Sequence, residues 1–289
     1  MAIIKDKFLE NSNAEKNNIK QRIPSVIIVF LFFLNMTLIG CTKQQQHGLT
    51  IKEGILTVGV EIGYPPMEYY DADGVTLIGF DIELTKALAD RLGLQVKYVD
   101  TAWEGILAGL DTHKYDVVVN VTVLPERQNR YNFSRPYIDS SMTIVTLKDS
   151  FIKIEKPEDI GNYSVGYQSD TTAQYFTERL GNQGIGFRSF AYDKVMNCFD
   201  DLKLGRLNLA VVDNLVAFDY IGRINSPFKV VWQGHTDEFI AICLKKGNDA
   251  LTIALNNSLD ELFADGTLLE ISQRIFRRDL VSAVRNAFN

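Results

Sequence analysis

Cysteine is scarce in this sequence: three in 289 residues, far apart at positions 41, 198 and 243. A small disulfide-built fold and a thiolate metal site both need cysteines at short spacings, so both are excluded. Histidine is as rare, and His47, His113 and His235 show no metal-ligand spacing. No Gly-rich phosphate loop is present either, so neither a cofactor nor a metal is expected. Lysine and arginine form no run that could make a nucleic-acid stripe, and the formal net charge is −6, which removes nucleic acid as a partner. What remains is 46% hydrophobic and 23% charged, the balance of a globular protein with a real core, long enough for one large domain or two small ones.

One long uncharged run stands apart. Lys16, Lys20 and Arg22 precede residues 23–40, which carry no charge and are interrupted by Pro24 and Asn35. A run of this length is long enough to span a bilayer. The competing reading is a secretory signal peptide, with a basic region followed by an apolar one. Its end, Leu38-Ile39-Gly40-Cys41 followed by Thr42-Lys43-Gln44-Gln45-Gln46, resembles the bacterial lipoprotein box, in which the Cys is lipidated and becomes the mature N-terminus. Residues 1–40 are therefore read as a signal peptide and 41–50 as a lipidated tether, with an uncleaved anchor helix as the alternative. Cleavage removes five of 30 basic and three of 36 acidic residues and leaves a net charge of −8. Such an exterior gains nothing from an anionic membrane, so the acyl chains, at about 0.8 kcal/mol per buried CH₂, must do the anchoring.

From residue 55 to residue 232 strand and helix patterns alternate, the sign of α/β units with parallel strands. A first series holds strand Ile55–Val60, a turn at Asp71–Gly74, a helix Asp81–Leu92 ending at Gly93, strand Gln95–Val99, a helix Trp103–Leu110 and strand Asp116–Val121. A second begins after Lys156–Asp159: strands Tyr163–Tyr167, Gly186–Phe190, Leu207–Val212 and Phe228–Trp232 separated by helices Thr172–Leu180, Asp193–Leu204 and Asn214–Arg223. Phe239–Leu244 follows as a strand, then helices Asp249–Asp265 and Thr267–Phe276 with no new strands. Packing those helices back on the first series makes one lobe of 51–142 with 238–289 and a second of 143–237, joined by crossings near Met142–Leu147 and Gly234–Ile240. Ligands of open α/β sheets bind at the carboxyl ends of the strands, so two such lobes facing each other make a cleft. Cys198 and Cys243 fall in different lobes and are read as small buried hydrophobes. A disulfide between them is the alternative, and it would block motion of the lobes.

Several motifs carry a family resemblance. Val58-Gly59-Val60-Glu61-Ile62-Gly63-Tyr64-Pro65-Pro66-Met67-Glu68-Tyr69, Ile78-Gly79-Phe80-Asp81-Ile82-Glu83-Leu84, Pro125-Glu126-Arg127, Tyr131–Tyr137 and Val165-Gly166-Tyr167-Gln168-Ser169-Asp170-Thr171-Thr172 resemble the polar amino-acid family of solute-binding proteins, family 3. The resemblance runs from about residue 49 to 280. It implies a type II periplasmic-binding-protein-like fold, with two α/β lobes on two hinge strands. It also implies the extracytoplasmic binding subunit of an amino-acid ABC importer, a monomer that closes on a free polar or charged amino acid and serves a membrane permease.

A free amino acid puts a carboxylate and an ammonium on one carbon, so its site needs a forked cation and an anion. Arg127 follows strand Asp116–Val121, and the resemblance gives it the ligand carboxylate. Asp213 leaves a buried strand, where an unpaired carboxylate is costly. The resemblance gives it the ammonium, and capping the next helix is a second role it can fill at once. Asn120, Thr122, Gln168, Thr171 and Thr172 are the expected polar contacts, with Thr171 and Thr172 at a helix start that favours an anion. Tyr64 and Trp103 are the expected aromatic walls. The chain departs from the family pattern at Asn120 (Ser or Gly is common), Asp170 (Gly is common) and Glu61 (Asp is frequent). Glu61 is open to three uses: the ligand ammonium, a polar or cationic ligand side chain, or a local ion pair.

Two other classes stay in view. A dehydratase-like enzyme on the same fold would need an acid–base partner for Glu61, and none is apparent. A receptor sensor domain would need a downstream helix or kinase. The reading is therefore a binding protein, not an enzyme.

Overall fold

The computed structural model describes residues 48–236 and 238–288. The expected signal peptide, Cys41 and most of the expected tether lie outside the described residues. No helix among the described residues is long and apolar enough to cross a membrane.

Strand β1 (Ile55–Val60) is flanked in parallel by β4 (Gln95–Asp100) and β5 (Val117–Thr122). β13 (Glu238–Lys245) runs antiparallel to β5 and to the short β6 (Tyr131–Phe133) and β7 (Ile138–Ser140). The second sheet repeats the plan. β9 (Ser164–Gln168) lies parallel between β10 (Arg188–Tyr192) and β11 (Leu209–Asp213). β8 (Met142–Leu147) runs antiparallel between β11 and β12 (Phe228–Gln233). A two-stranded ribbon, β2 (Tyr69–Tyr70) with β3 (Leu77–Ile78), brackets the Asp71–Gly74 turn.

The chain passes from the first sheet to the second at Ser141 and returns between Gln233 and Glu238. Met142–Leu147, read from sequence as a crossing, is a full strand of the second sheet. Its run of Thr, Ile and Val is buried throughout except at Leu147, as suits an interior strand. The helices lie where the patterns put them, mostly within two residues. α1 (Phe80–Leu92), with α7 (Asp249–Ala264) and α8 (Thr267–Phe276) from the tail, covers the first sheet. Leu84 and Leu88 share one core there with Leu255, Leu259, Leu262, Leu268 and Ile271. The short α2 (Ile106–Asp111) starts three residues after the expected Trp103. Gly105 precedes it at φ 82°, a left-handed turn that keeps Trp103 out of the helix.

The second sheet carries α4 (Thr172–Asn182), α5 (Val195–Lys203) and α6 (Asn214–Gly222) on two apolar clusters of its own. Cys198 packs in one of these and Cys243 in a first-sheet cluster; both are free, and burial pushes both thiols above their ordinary range.

Candidate functional site

The carboxyl ends of five parallel strands face one cavity. Glu61 and Tyr64 follow β1, and Asn120 and Thr122 end β5. Arg127 sits on the short α3 (Pro125–Arg130) just beyond, and Trp103 follows β4. From the second sheet come Gln168 at the end of β9, Thr171 and Thr172 at the start of α4, and Asp213 at the end of β11. All of these residues, predicted from the sequence as the site, line that single cavity. Glu68, Ser140, Glu238 and Ile240 line it as well and were not foreseen. Glu68 lay inside a quoted motif, Tyr64–Tyr69. Ser140, Glu238 and Ile240 are brought in by the pairing of β13 with β7 and β5, which local pattern does not encode.

Arg127 is 8% exposed. Its Nη1 donates to the Thr122 carbonyl at 3.2 Å and its Nη2 to the Asp170 carbonyl at 3.4 Å. The guanidinium stands 6.0 Å from the Trp103 ring centre. Among the described residues it makes no ion pair, so a buried cation with five N–H donors is held only by carbonyls. Asp213 shows the double use: Oδ1 accepts the Val216 N–H at 3.0 Å and caps α6, while Oδ2 accepts the Tyr64 hydroxyl. Burial, only partly offset by those hydrogen bonds, raises its carboxyl above the usual range.

Glu61 is 4% exposed and accepts Gln168 Nε2 at 2.7 Å on Oε2. Its Oε1 and the Oε1 of Gln168 are buried without a donor. Burial raises the Glu61 carboxyl, and the Gln168 hydrogen bond and the charge of Lys194 work against that rise. No ion pair holds Glu61 among the described residues. The Thr171 hydroxyl donates to the Gln168 carbonyl at 2.7 Å and does not cap α4, and the Thr172 hydroxyl donates to Glu238 at 3.4 Å.

Two of the departures from the family pattern have one backbone reason. Asn120 has φ 58° and Asp170 φ 59°, the left-handed region that Gly enters freely and that Asn and Asp tolerate best among other residues. The Asp170 turn aims its carbonyl across the cleft, where it accepts Trp103 Nε1 at 3.0 Å as well as Arg127. Hydrogen bonds therefore join the two lobes at several points: Tyr64 to Asp213, Gln168 to Glu61, Trp103 and Arg127 to Asp170, and Lys194 Nζ to the Ile62 carbonyl at 3.0 Å. The lobes stand closed on each other around a cavity with a cation that has no ion-pair partner among the described residues on one wall and a carboxylate on the other.

The L-cystine-binding protein TcyJ of Escherichia coli (strain K12) is 34% identical over 232 residues, covering 80% of this chain and 86% of TcyJ. Among solved structures, an ancestral arginine-binding protein bound to arginine is 33% identical with a TM-score of 0.74, covering 77% of this chain and 98% of that one. The ancestral amino acid-binding protein AncCDT-1, a precursor of cyclohexadienyl dehydratase, is 31% identical with a TM-score of 0.70, covering 77% and 95%. The two-lobed architecture is thus shared with amino-acid-binding proteins. The model of the bacterial extracellular solute-binding proteins, family 3, matches residues 56–278, and the chain belongs to that family, whose members work outside the cytoplasm.

Proposed function

We propose that the chain is the binding subunit of an amino-acid ABC importer, a carrier that closes on one free amino acid and presents it to a membrane permease. The observation that carries this reading is the pairing of opposite charges across the cavity: Arg127, buried without a carboxylate, on one lobe, and Asp213 on the other. An α-carboxylate on Arg127 and an α-ammonium on Asp213 satisfy both, with Tyr64 and Trp103 beside the α-carbon. Each charge-assisted contact is worth about 1.5–3 kcal/mol net. The lobes, 51–142 with 238–289 and 143–237, swing on the crossings at Ser141 and Gln233–Glu238. The ligand favours the closed form because only there does it touch both walls.

Relatives named for L-cystine and for arginine make ligands with a second polar head the first candidates. The donorless oxygens of Glu61 and Gln168 are suited to such a group. The protein acts as a monomer, held at the membrane by lipid on Cys41, and releases its ligand unchanged.

A thermal-shift screen of the twenty common amino acids, L-cystine and ornithine on the purified protein tests this. A ligand at about 100 times its Kd stabilises by about 2.7 kcal/mol. No shift with any of them defeats the amino-acid reading, and a bound ligand recovered chemically altered defeats the carrier reading.

A further inference from the structure

Two carboxyls that the proposed clamp does not use lie at the cavity wall and just behind it. Glu68 is 3% exposed and Asp81 is fully buried. The backbone forces them together. Phe80 N–H donates to the Pro66 carbonyl at 3.0 Å and Asp81 N–H to the Met67 carbonyl at 3.1 Å, fastening the start of α1 to the loop that carries Glu68. Gly79 permits this approach: its φ is 130°, and a Cβ there would sit 2.1 Å from the Met67 carbonyl oxygen.

That fastening sets the two buried carboxyls beside each other, and each acts electrostatically on the other. Asp81 Oδ1 also accepts the Tyr137 hydroxyl at 2.8 Å, and the Tyr137 oxygen accepts the Asn120 N–H at 2.9 Å. Glu68 and Asn120 both line the ligand cavity, so the chain Glu68–Asp81–Tyr137–Asn120 leaves it and returns to it. The outer oxygens, Glu68 Oε2 and Asp81 Oδ2, are buried without a donor. The charged groups acting on Glu68 are Asp81, Glu61 and Asp213, all acidic, and none acting on Asp81 is a cation. The hydroxyls of Tyr64 and Tyr98 face the pair's surroundings but donate elsewhere, to Asp213 and to the Ile82 carbonyl.

Two adjacent buried carboxylates with no cation among the groups acting on them do not both ionise. One proton on the pair relieves the repulsion and supplies a donor where both orphan oxygens lack one. Asp81 is the better anion, since it lies in the first turn of α1 and accepts the Tyr137 hydroxyl. Glu68 has no such donor.

We propose that Glu68 and Asp81 together hold a single proton, and that this proton fastens the loop bearing Tyr64 to α1 and so shapes the ligand cavity. Loss of the proton sets two buried anions against each other. The Tyr64–Tyr69 loop then moves off α1, and the wall that meets Asp213 goes with it.

Burial first, and the neighbouring acid second, holds the Glu68 carboxyl far above its ordinary range; burial lifts Asp81 as well. The folded chain thus binds a proton that the unfolded chain releases at about pH 4. Stability is full below that pH, falls as the pH climbs, and levels off once the folded pair has lost its proton. Glu68→Gln supplies an N–H donor that does not titrate, and removes the loss.

The test is thermal unfolding of the full chain without ligand between about pH 5 and pH 9, with infrared spectra near neutral pH. Glu68→Gln should melt at or below wild type at the acid end and above it at the alkaline end, by on the order of 3 °C. Wild type should show the carbonyl band of a protonated carboxyl that Glu68→Gln lacks. A melting gap that does not change with pH, or an identical band in both proteins, overturns the proposal. Asp81→Asn makes the same test should Glu68→Gln fail to fold: it removes the neighbouring acid and offers Glu68 an N–H donor, so the pH dependence should be shallower than in wild type. A third measurement, of ligand affinity across the same range, rests on the amino-acid reading. Affinity should fall with rising pH more steeply in wild type than in Glu68→Gln, and equal slopes would show that the proton does not shape the cavity. The melting and infrared measurements stand whatever the ligand is.

Discussion

Tyr64 donates its hydroxyl proton to one oxygen of Asp213, while the other oxygen of the same carboxylate caps α6 through the Val216 N–H at 3.0 Å. The first bond crosses the cleft and the second stays within one lobe. Only the first faces the cavity where a ligand ammonium would arrive.

Tyr64→Phe separates the two. In the ligand-free protein it leaves a buried carboxylate with one donor fewer, which costs about 1.5–3 kcal/mol at most, because the cleft can open and let water in. With ligand bound, the ammonium replaces the lost donor and the cost shrinks. The thermal shift produced by saturating ligand should therefore be larger in Tyr64→Phe than in wild type. A smaller shift would mean that the hydroxyl and the ammonium do not exchange on Asp213.

Asp170 gives a test of the turn. Its φ of 59° is strained for a β-branched residue and free for Gly. Asp170→Gly should leave the stability within about 1 kcal/mol of wild type and keep the carbonyl aimed at Trp103 and Arg127. Asp170→Val should destabilise by about 1–3 kcal/mol and weaken ligand binding with it, since the same carbonyl holds both lobe-one side chains. Equal melting of the two variants would show that the left-handed turn stores no strain.

These positions also show what a sequence discloses. Arg127 and Asp213 were legible because each follows a hydrophobic strand whose carboxyl end must meet the cleft and the family resemblance gave each a role there, whereas Gln168 was legible only through its motif. The left-handed backbones of Asn120 and Asp170 appeared only as unexpected residue types; the conformation that explains them is a property of the turn. Glu238 and Ile240 were hidden because their place depends on β13 pairing with strands about a hundred residues earlier. Met142–Leu147 misled for a related reason. A crossing and a strand have the same apolar pattern, and only the partners on either side, β11 and β12, distinguish them.

The proposed anchor has its own test. Cys41 is the residue that the Leu38–Cys41 pattern would lipidate, and the remaining chain is too acidic to hold an anionic surface by charge. Cys41→Ala should abolish labelling by a fatty-acid probe and leave the protein as precursor or released from the membrane fraction. Labelling that persists in the variant would show that the lipid is elsewhere or that the apolar run anchors the chain uncleaved.

The charge clamp is the sharpest test of the site. Arg127 lies on the first lobe and Asp213 on the second, so a ligand that binds both becomes the bridge between them. Arg127→Ala leaves the ligand carboxylate against Trp103 and two backbone carbonyls, with no cation. Asp213→Ala leaves the ammonium without its anion and also uncaps α6, a loss of about 1 kcal/mol in stability that Asp213→Asn should largely restore. Either loss of a buried charged partner should weaken binding by about 2–5 kcal/mol, or roughly thirty-fold to several-thousand-fold. Asp213→Asn should recover the fold but not the affinity, because an amide caps a helix yet carries no charge for an ammonium. Lys114 is exposed, outside the cavity lining, and bonded to the Thr101 hydroxyl at 3.0 Å, and its truncation should change affinity little. Calorimetry with the ligand found by screening, and circular dichroism to confirm folding, decides the matter. Folded Arg127→Ala and Asp213→Asn proteins that both bind within about three-fold of wild type would place the ligand elsewhere.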